Sequence, residues 1–411
     1  MTQLASSINP FDPNAPHLRA DPYPTFAALR ENDPIHRAAH GYWVVSRHDD
    51  VRSTLMDRTG FGQGDFVQNI RLFYGPDFNV LGHTSYRWLS EVFLMQDPPQ
   101  HTRVRGLVTG ALTAKRVRAM EPRIREITTQ LIDDLAQAHT ADMIGQFAYR
   151  LPVLVMCDML GVDPFDPRLA AIIDAIAQSF IVFEARALSE DELNVADREI
   201  ARLEDFFDEL FLERSRNPRD DLTTALVQSG GGVDALSHHE LITVAIGLFG
   251  AGFETTAHMI GNGLLCLNRF PDQWDTLVSD PEGHAPGVVN ETLRYESSLI
   301  ATYRTALEER EIHGQTVRPG EKVLTLIGAA NRDSRVFDRP DEFDIARDAS
   351  NHMSFGGGIH FCAGAELARL EGRVAFAELA RRLPTLRVNT DAPAWREGFL
   401  FRGMSTLPAS W

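Results

Sequence analysis

Residues His352 to Arg369 read H-M-S-F-G-G-G-I-H-F-C-A-G-A-E-L-A-R, with Cys362 near their centre. Glycines at 356, 357 and 358 allow a tight turn ahead of the cysteine. From Ala365 onward, A-E-L-A-R-L-E-G-R-V-A-F-A-E-L-A-R-R-L has the period of an amphipathic helix, whose first free N–H groups would point back at the sulfur. A thiolate is a soft ligand for iron, and its charge is best tolerated at the positive end of a helix dipole. Gly364 removes a side chain where a flat cofactor would approach the backbone, and Phe355 is placed to shield the sulfur from water. On this stretch alone a buried structural cysteine at a helix start remains the other reading.

The 411 residues, 44% hydrophobic and 24% charged, are enough to bury a large core. No Pro/Gly/Ser-rich linker, low-complexity tract or internal repeat divides them, so one large domain over residues 1–411 is expected. A net charge of −17 argues against nucleic acid as a partner. Cys157 and Cys266 sit in apolar runs and read as small core residues, which suits a reducing cytoplasm. The N-terminal M-T-Q-L-A-S-S-I-N-P-F-D-P lacks the basic and apolar regions of a signal peptide. The apolar run Leu241 to Phe253 is too short to span a bilayer, so no membrane anchor is expected.

Working back toward the N-terminus, the pattern predicts a helix over Tyr23 to Glu31, a strand over Gly41 to Ser46 and a helix at D-D-V-R-S-T-L-M-D, hence a small sheet. Phe61 to Leu94 scatters aromatics among Gly, Asp and Asn without clear period. It is expected to be irregular, and either touches an apolar ligand or is a plain surface loop. Pro98 and Pro99 start a helix on which His101 and Arg105, four apart, share a face. Long helices follow to about residue 228, broken at Gly161 and Asn217, with Phe180 and Phe183 either in a cavity wall or in helix core.

From about Ser237 to Phe270 the chain can form one long helix, apolar on most sides and therefore central. Gly250 and Gly252 would each cost it about 1 kcal/mol against alanine, and Glu254 is an acid in apolar surroundings. These departures read as a functional patch rather than packing. The Thr255 hydroxyl can bond the carbonyl four residues back, Ala251, and open the helix there.

Four features occur in order: D-P-P-Q-H-T-R-V-R from Asp97, A-G-F-E-T-T from Ala251, N-E-T-L-R with Glu291 and Arg294, and the loop with Phe355, Gly358, Cys362 and Gly364. Together they resemble the cytochrome P-450 family of haem-thiolate monooxygenases. The resemblance implies a mainly α fold with small β-sheets and haem b held by the Cys362 thiolate. His101, Arg105, Arg304 and His360 would hold the haem propionates. Phe355, Gly364 and Ala251 would lie against the haem, and Glu254 and Thr255 would relay protons. Glu291, Arg294 and Arg347 would form a structural ion cluster. Ser298 stands where the family usually has proline, which leaves the path of Leu299 to Thr302 open.

The implied reaction inserts one oxygen atom of O2 into a lipophilic small molecule, by hydroxylation or epoxidation, of the kind met in secondary metabolism. Electrons would come from a ferredoxin and an NAD(P)H-dependent ferredoxin reductase. His101, Arg103, Arg105, Lys115, Arg116 and Arg118 form a basic run that could steer such a partner to a monomeric, cytoplasmic enzyme. Two alternatives are a peroxide-driven haem-thiolate enzyme and a non-enzymatic haem sensor or carrier, neither of which needs the Glu254–Thr255 pair.

Overall fold

The computed structural model describes residues 11–38, 41–184, 186–228, 235–391 and 393–411. The first ten residues, which carry most of the leader reading, lie outside that set. Among these residues the architecture is mainly helical with four small sheets.

A single helix, His238–Arg269, runs through the middle. Its start is set locally: the Ser237 side chain accepts from Glu240 N while Glu240 reaches back to Ser237 N, a reciprocal cap. It stops at Phe270, one residue before the proline that opens the next helix. By length and apolarity it could cross a membrane, but most of its apolar window is buried against protein. Helices Arg150–Leu160, Glu190–Arg216, Pro281–Tyr295 and Ala365–Arg382 pack around it.

That packing corrects the reading of its glycines. A Cβ at Gly250 would run into the Phe180 ring and Ile176, and one at Gly252 into Met156. Both residues let neighbouring helices approach closely, and the helix is unbroken through them.

The segment 61–95 is likewise more regular than expected. It forms a short strand, Phe61–Gly62, then helices Phe66–Tyr74 and Thr84–Glu91 with two 3-10 turns. Asp65 caps the first helix by accepting from Gln68 N, and its aromatics stack on one another, Tyr74 against Phe78 at 3.9 Å between centroids. Helices of two turns carry too few residues to show a period.

The largest sheet orders its strands Ile35–Arg37, Trp43–Val45, Lys322–Thr325, Thr302–Ala306, Phe61–Gly62. Trp43–Val45 pairs in parallel with Lys322–Thr325 and the other pairs are antiparallel. Alternation splits its side chains between two clusters. Val44, Tyr303 and Leu324 join Phe26, Leu29, Phe399 and Leu400, whereas Val45, Val323 and Ala306 join Val51, Leu55 and Ile327.

Glu291 and Arg294 form a bidentate pair, both bonds 2.7 Å and both side chains fully buried. Arg347 Nε adds a third contact to Glu291 at 3.2 Å, and Arg294 also donates to the carbonyls of Asn331, Pro340 and Glu342. Here a short-range E-x-x-R pins an irregular segment fifty residues away. Such a buried pair is costly to break from one side, on the order of 3–5 kcal/mol.

Candidate active site

Cys362 follows a 3-10 turn, Gly358–His360, and precedes the helix Ala365–Arg382. The turn needs its glycines: Gly356 and Gly358 have φ of 69° and 64°, and a Cβ at Gly358 would strike the Leu55 carbonyl. Cys362 N donates to Phe355 O at 2.8 Å, closing the loop. Burial pushes the thiol pKa up, while the Gly364 N–H and the Arg105 and Arg369 charges pull it down. Phe355 is nearly buried, and the Arg369 guanidinium lies 4.5 Å over its ring. At Gly364 an added Cβ would meet nothing nearer than the cysteine sulfur, 4.0 Å away, so the space over that backbone is open.

Three buried nitrogenous side chains from distant segments meet beside this loop. The His101 and His360 rings stand 4.4 Å apart, and no ring nitrogen of either has a hydrogen-bond partner among the described residues. Arg304, 5% exposed, makes one hydrogen bond among the described residues, to the Tyr303 carbonyl. Burial lowers Arg304 to about 10; burial and then the Arg304 charge lower His360 to about 2. Orphaned donors around a buried cation are what carboxylates would satisfy, so these residues fit the acidic edge of a haem. Arg105 is on the same face as His101 but donates to the Phe361 carbonyl, beside the cysteine.

On the central helix, Leu248, Ala251 and Thr255 are open to varying degrees, whereas most of the helix is buried. Thr255 Oγ1 donates to Ala251 O at 3.0 Å, as its position suggested. Glu254 departs from the expected partnership. It is 6% exposed and turned away from that open stripe, paired with Arg396 at 3.0 Å. Arg396 also bonds Tyr149 Oη, which is 3.1 Å from His258 Nε2. Burial raises the Glu254 pKa, the Arg396 charge opposes this, and Glu184 adds to it. Burial and then Arg396 push His258 down to about 3, so it is neutral.

Sequence reasoning missed Arg396, Tyr149, His258 and Glu184, for which no motif spacing exists. Glu184 accepts from Phe399 N at 2.9 Å, tying the chain after Phe183 to the C-terminal hairpin. The path beyond Ser298 is held by the same hairpin: Ile300 N donates to Leu400 O, and Leu299 bridges to Phe401. In the basic run, Arg103 is committed to Glu240 and Arg116 faces Asp220 at 3.5 Å. Lys115 and Arg118 are exposed, with no ion pair among the described residues.

A cysteine sulfur on a glycine loop, a cationic cradle at its side and an unbroken central helix with the Thr255 hydroxyl on its partly exposed stripe define a haem-thiolate monooxygenase. The family model "Cytochrome P450" matches residues 65–279 and 285–392. Cytochrome P450 107B1 of Saccharopolyspora erythraea is 37% identical over 410 residues, covering 94% of each chain. The mycinamicin IV hydroxylase/epoxidase of Micromonospora griseorubida is 36% identical, again over 94% of each. The crystal structure of CalO2 superposes with a TM-score of 0.89 at 32% identity, over 98% of this chain and 99% of that one. The chain belongs to the cytochrome P450 family, whose members carry haem on a cysteine thiolate.

Proposed function

We propose that this monooxygenase holds haem b through Cys362 and oxidises a lipophilic secondary metabolite. The observation that carries the residue roles is the pair of partnerless histidines, His101 and His360, beside the buried Arg304 charge at the side of the Cys362 loop. His101, Arg304 and His360 would take the two propionates. Arg105, beside the loop through its bond to the Phe361 carbonyl, would lend positive charge to the sulfur. When bound, the haem supplies the redox chemistry that splits dioxygen and inserts one oxygen atom into substrate.

The remaining work falls to side chains. The Thr255 hydroxyl spends its proton on the Ala251 carbonyl, so its lone pairs are free to orient a water on the open stripe. Glu254, held back by Arg396, which also bonds Tyr149, serves as the proton reservoir behind it; a change of side-chain rotamer is required to bring its carboxyl to the stripe. Leu248, Leu299 and Phe401 exclude bulk water and offer an apolar wall. The mycinamicin-oxidising relative supports a bulky lipophile as substrate. Electrons arrive from a ferredoxin and its NAD(P)H-dependent reductase, steered by Lys115 and Arg118. We place the whole chain in one haem domain, monomeric and cytoplasmic.

Reduced protein under carbon monoxide is expected to show the red-shifted Soret band of a thiolate-bound haem, and Cys362→Ser to lose it. An unchanged band in the variant would remove Cys362 from the site.

A further inference from the structure

Of the 40 basic residues only two are lysines, Lys115 and Lys322. Lys115 is exposed on the surface. Lys322 opens a strand of the five-stranded sheet and is mostly covered. Its register opposite Thr305, with Tyr303 opposite Leu324, places Lys322, Tyr303 and Leu324 on one sheet face. Its ammonium lies 4.4 Å from the centroid of the Tyr303 ring and 5.3 Å from that of Phe73, near the end of the helix Phe66–Tyr74. Among the described residues it makes no hydrogen bond and no ion pair.

Two further polar groups nearby are also unsatisfied. The Tyr303 and Tyr42 rings pack edge to face at 5.9 Å with their buried hydroxyls turned toward each other, yet no bond of normal geometry joins the two or ties either to another group among the described residues. Burial lowers the Lys322 pKa to about 8, with no carboxylate among the described residues offsetting it. The carboxylate that acts on Tyr303 is Glu184, whose oxygens are already taken by the backbone of Phe399 and Leu400. Cation–π contact recovers about 1–2 kcal/mol of the cost of covering a charge, less than an unpaired ammonium loses. A cation beside two phenols that satisfy each other only weakly is the donor set that an oxyanion would complete.

The surroundings give the rest of the ligand. Tyr303, Phe73 and Leu324 belong to an apolar cluster that also contains Leu299 and Phe401, attributed above to the wall of the substrate pocket. We propose that Lys322, with the hydroxyls of Tyr303 and Tyr42, binds the carboxylate or phosphate head of an apolar substrate whose tail runs along Leu299 and Phe401. This rests on the assignment of that wall to the pocket, and narrows the substrate from any lipophile to an amphiphilic anion.

The test is calorimetric binding of dodecanoate, its methyl ester and dodecyl phosphate to haem-loaded wild type, Lys322→Met and Lys322→Arg. A charge-assisted contact in a poorly solvated site predicts that wild type binds an anion roughly 10- to 100-fold tighter than the ester. Lys322→Met should lose that preference while binding the ester unchanged, and Lys322→Arg should keep most of it. Preference for dodecanoate or for dodecyl phosphate identifies which oxyanion is taken. In protein carrying 13C-methyl groups on lysine, the Lys322 resonance should titrate near pH 8 and move upward when the anion binds, with Lys115 as the unmoved control. Equal affinity of wild type for anion and ester, or a preference that survives in Lys322→Met, overturns the proposal. If the anion binds through Lys322 but Leu299→Ala and Phe401→Ala leave its affinity unchanged, the head-group site stands and the pocket-wall assignment fails.

Discussion

Replacing Arg396 by leucine probes the polar network behind the central helix. The Arg396–Glu254 contact is 3.0 Å, with side-chain exposures of 29% and 8%. Losing one member of a fully buried pair costs about 3–5 kcal/mol, and of an exposed pair about 0–1. With one end partly in water, roughly 2 kcal/mol is the expected loss when Glu254 is ionised. Unfolding entropy of about 2.1 cal/mol/K per residue, over this chain roughly 0.9 kcal/mol/K, converts that into a Tm lower by about 2 °C. The loss should depend on pH. Burial raises the Glu254 pKa and Arg396 restrains it, so the variant carboxyl rises further. Between the unfolded and folded values the folded chain holds more proton than the unfolded one, so stability declines as pH rises through that interval. Arg396→Leu should therefore melt close to wild type at pH 5 and fall behind it at pH 8, by scanning calorimetry of haem-loaded protein at one scan rate. In a Glu254→Gln background the same substitution should cost much less. Equal losses at both pH values, or an undiminished loss in that background, would refute the pair as their origin.

Thr255→Ala should fold, keep haem and consume reductant, but yield less product and more hydrogen peroxide per electron pair, with Thr255→Ser intermediate; equal coupling in all three would leave Thr255 a purely structural residue. Reversing both Lys115 and Arg118 to glutamate should slow reduction by an acidic ferredoxin and flatten its salt dependence in stopped-flow traces, whereas full, salt-sensitive reduction would place docking elsewhere. His258, held neutral at about 3 by burial and then Arg396, binds its proton in the unfolded chain first, near pH 6.5. Stability should thus fall as pH drops from about 6.5, by up to about 1.4 kcal/mol per pH unit for this group, and His258→Gln should reduce that slope in urea melts. His352, lowered to about 3 by its own burial, leaves a residual slope in the variant. No change of slope would mean His258 is not the group that titrates.

The parts legible from sequence were those whose chemistry is local. The Cys362 loop, the Thr255–Ala251 bond and the Glu291–Arg294 pair all join residues within seven positions, where backbone geometry dictates who meets whom. Helix breaks at Gly161, with φ of 73°, and at Asn217 were visible for the same reason. The resemblance to a family then supplied longer links, and His101 does lie against His360. What only tertiary structure decided was where the polar residues inside the core point. Glu254 and Thr255 are neighbours in sequence but about 100° apart around a helix, so one faces the open stripe and the other Arg396, more than a hundred residues away. Gly250 and Gly252, which looked like defects in a helix, admit side chains from helices that no periodicity connects to them. Lys322 reads as an ordinary strand residue until the sheet register sets Tyr303 and Phe73 over it. Periodicity tells which face of an element is apolar; which partner covers that face depends on chain topology.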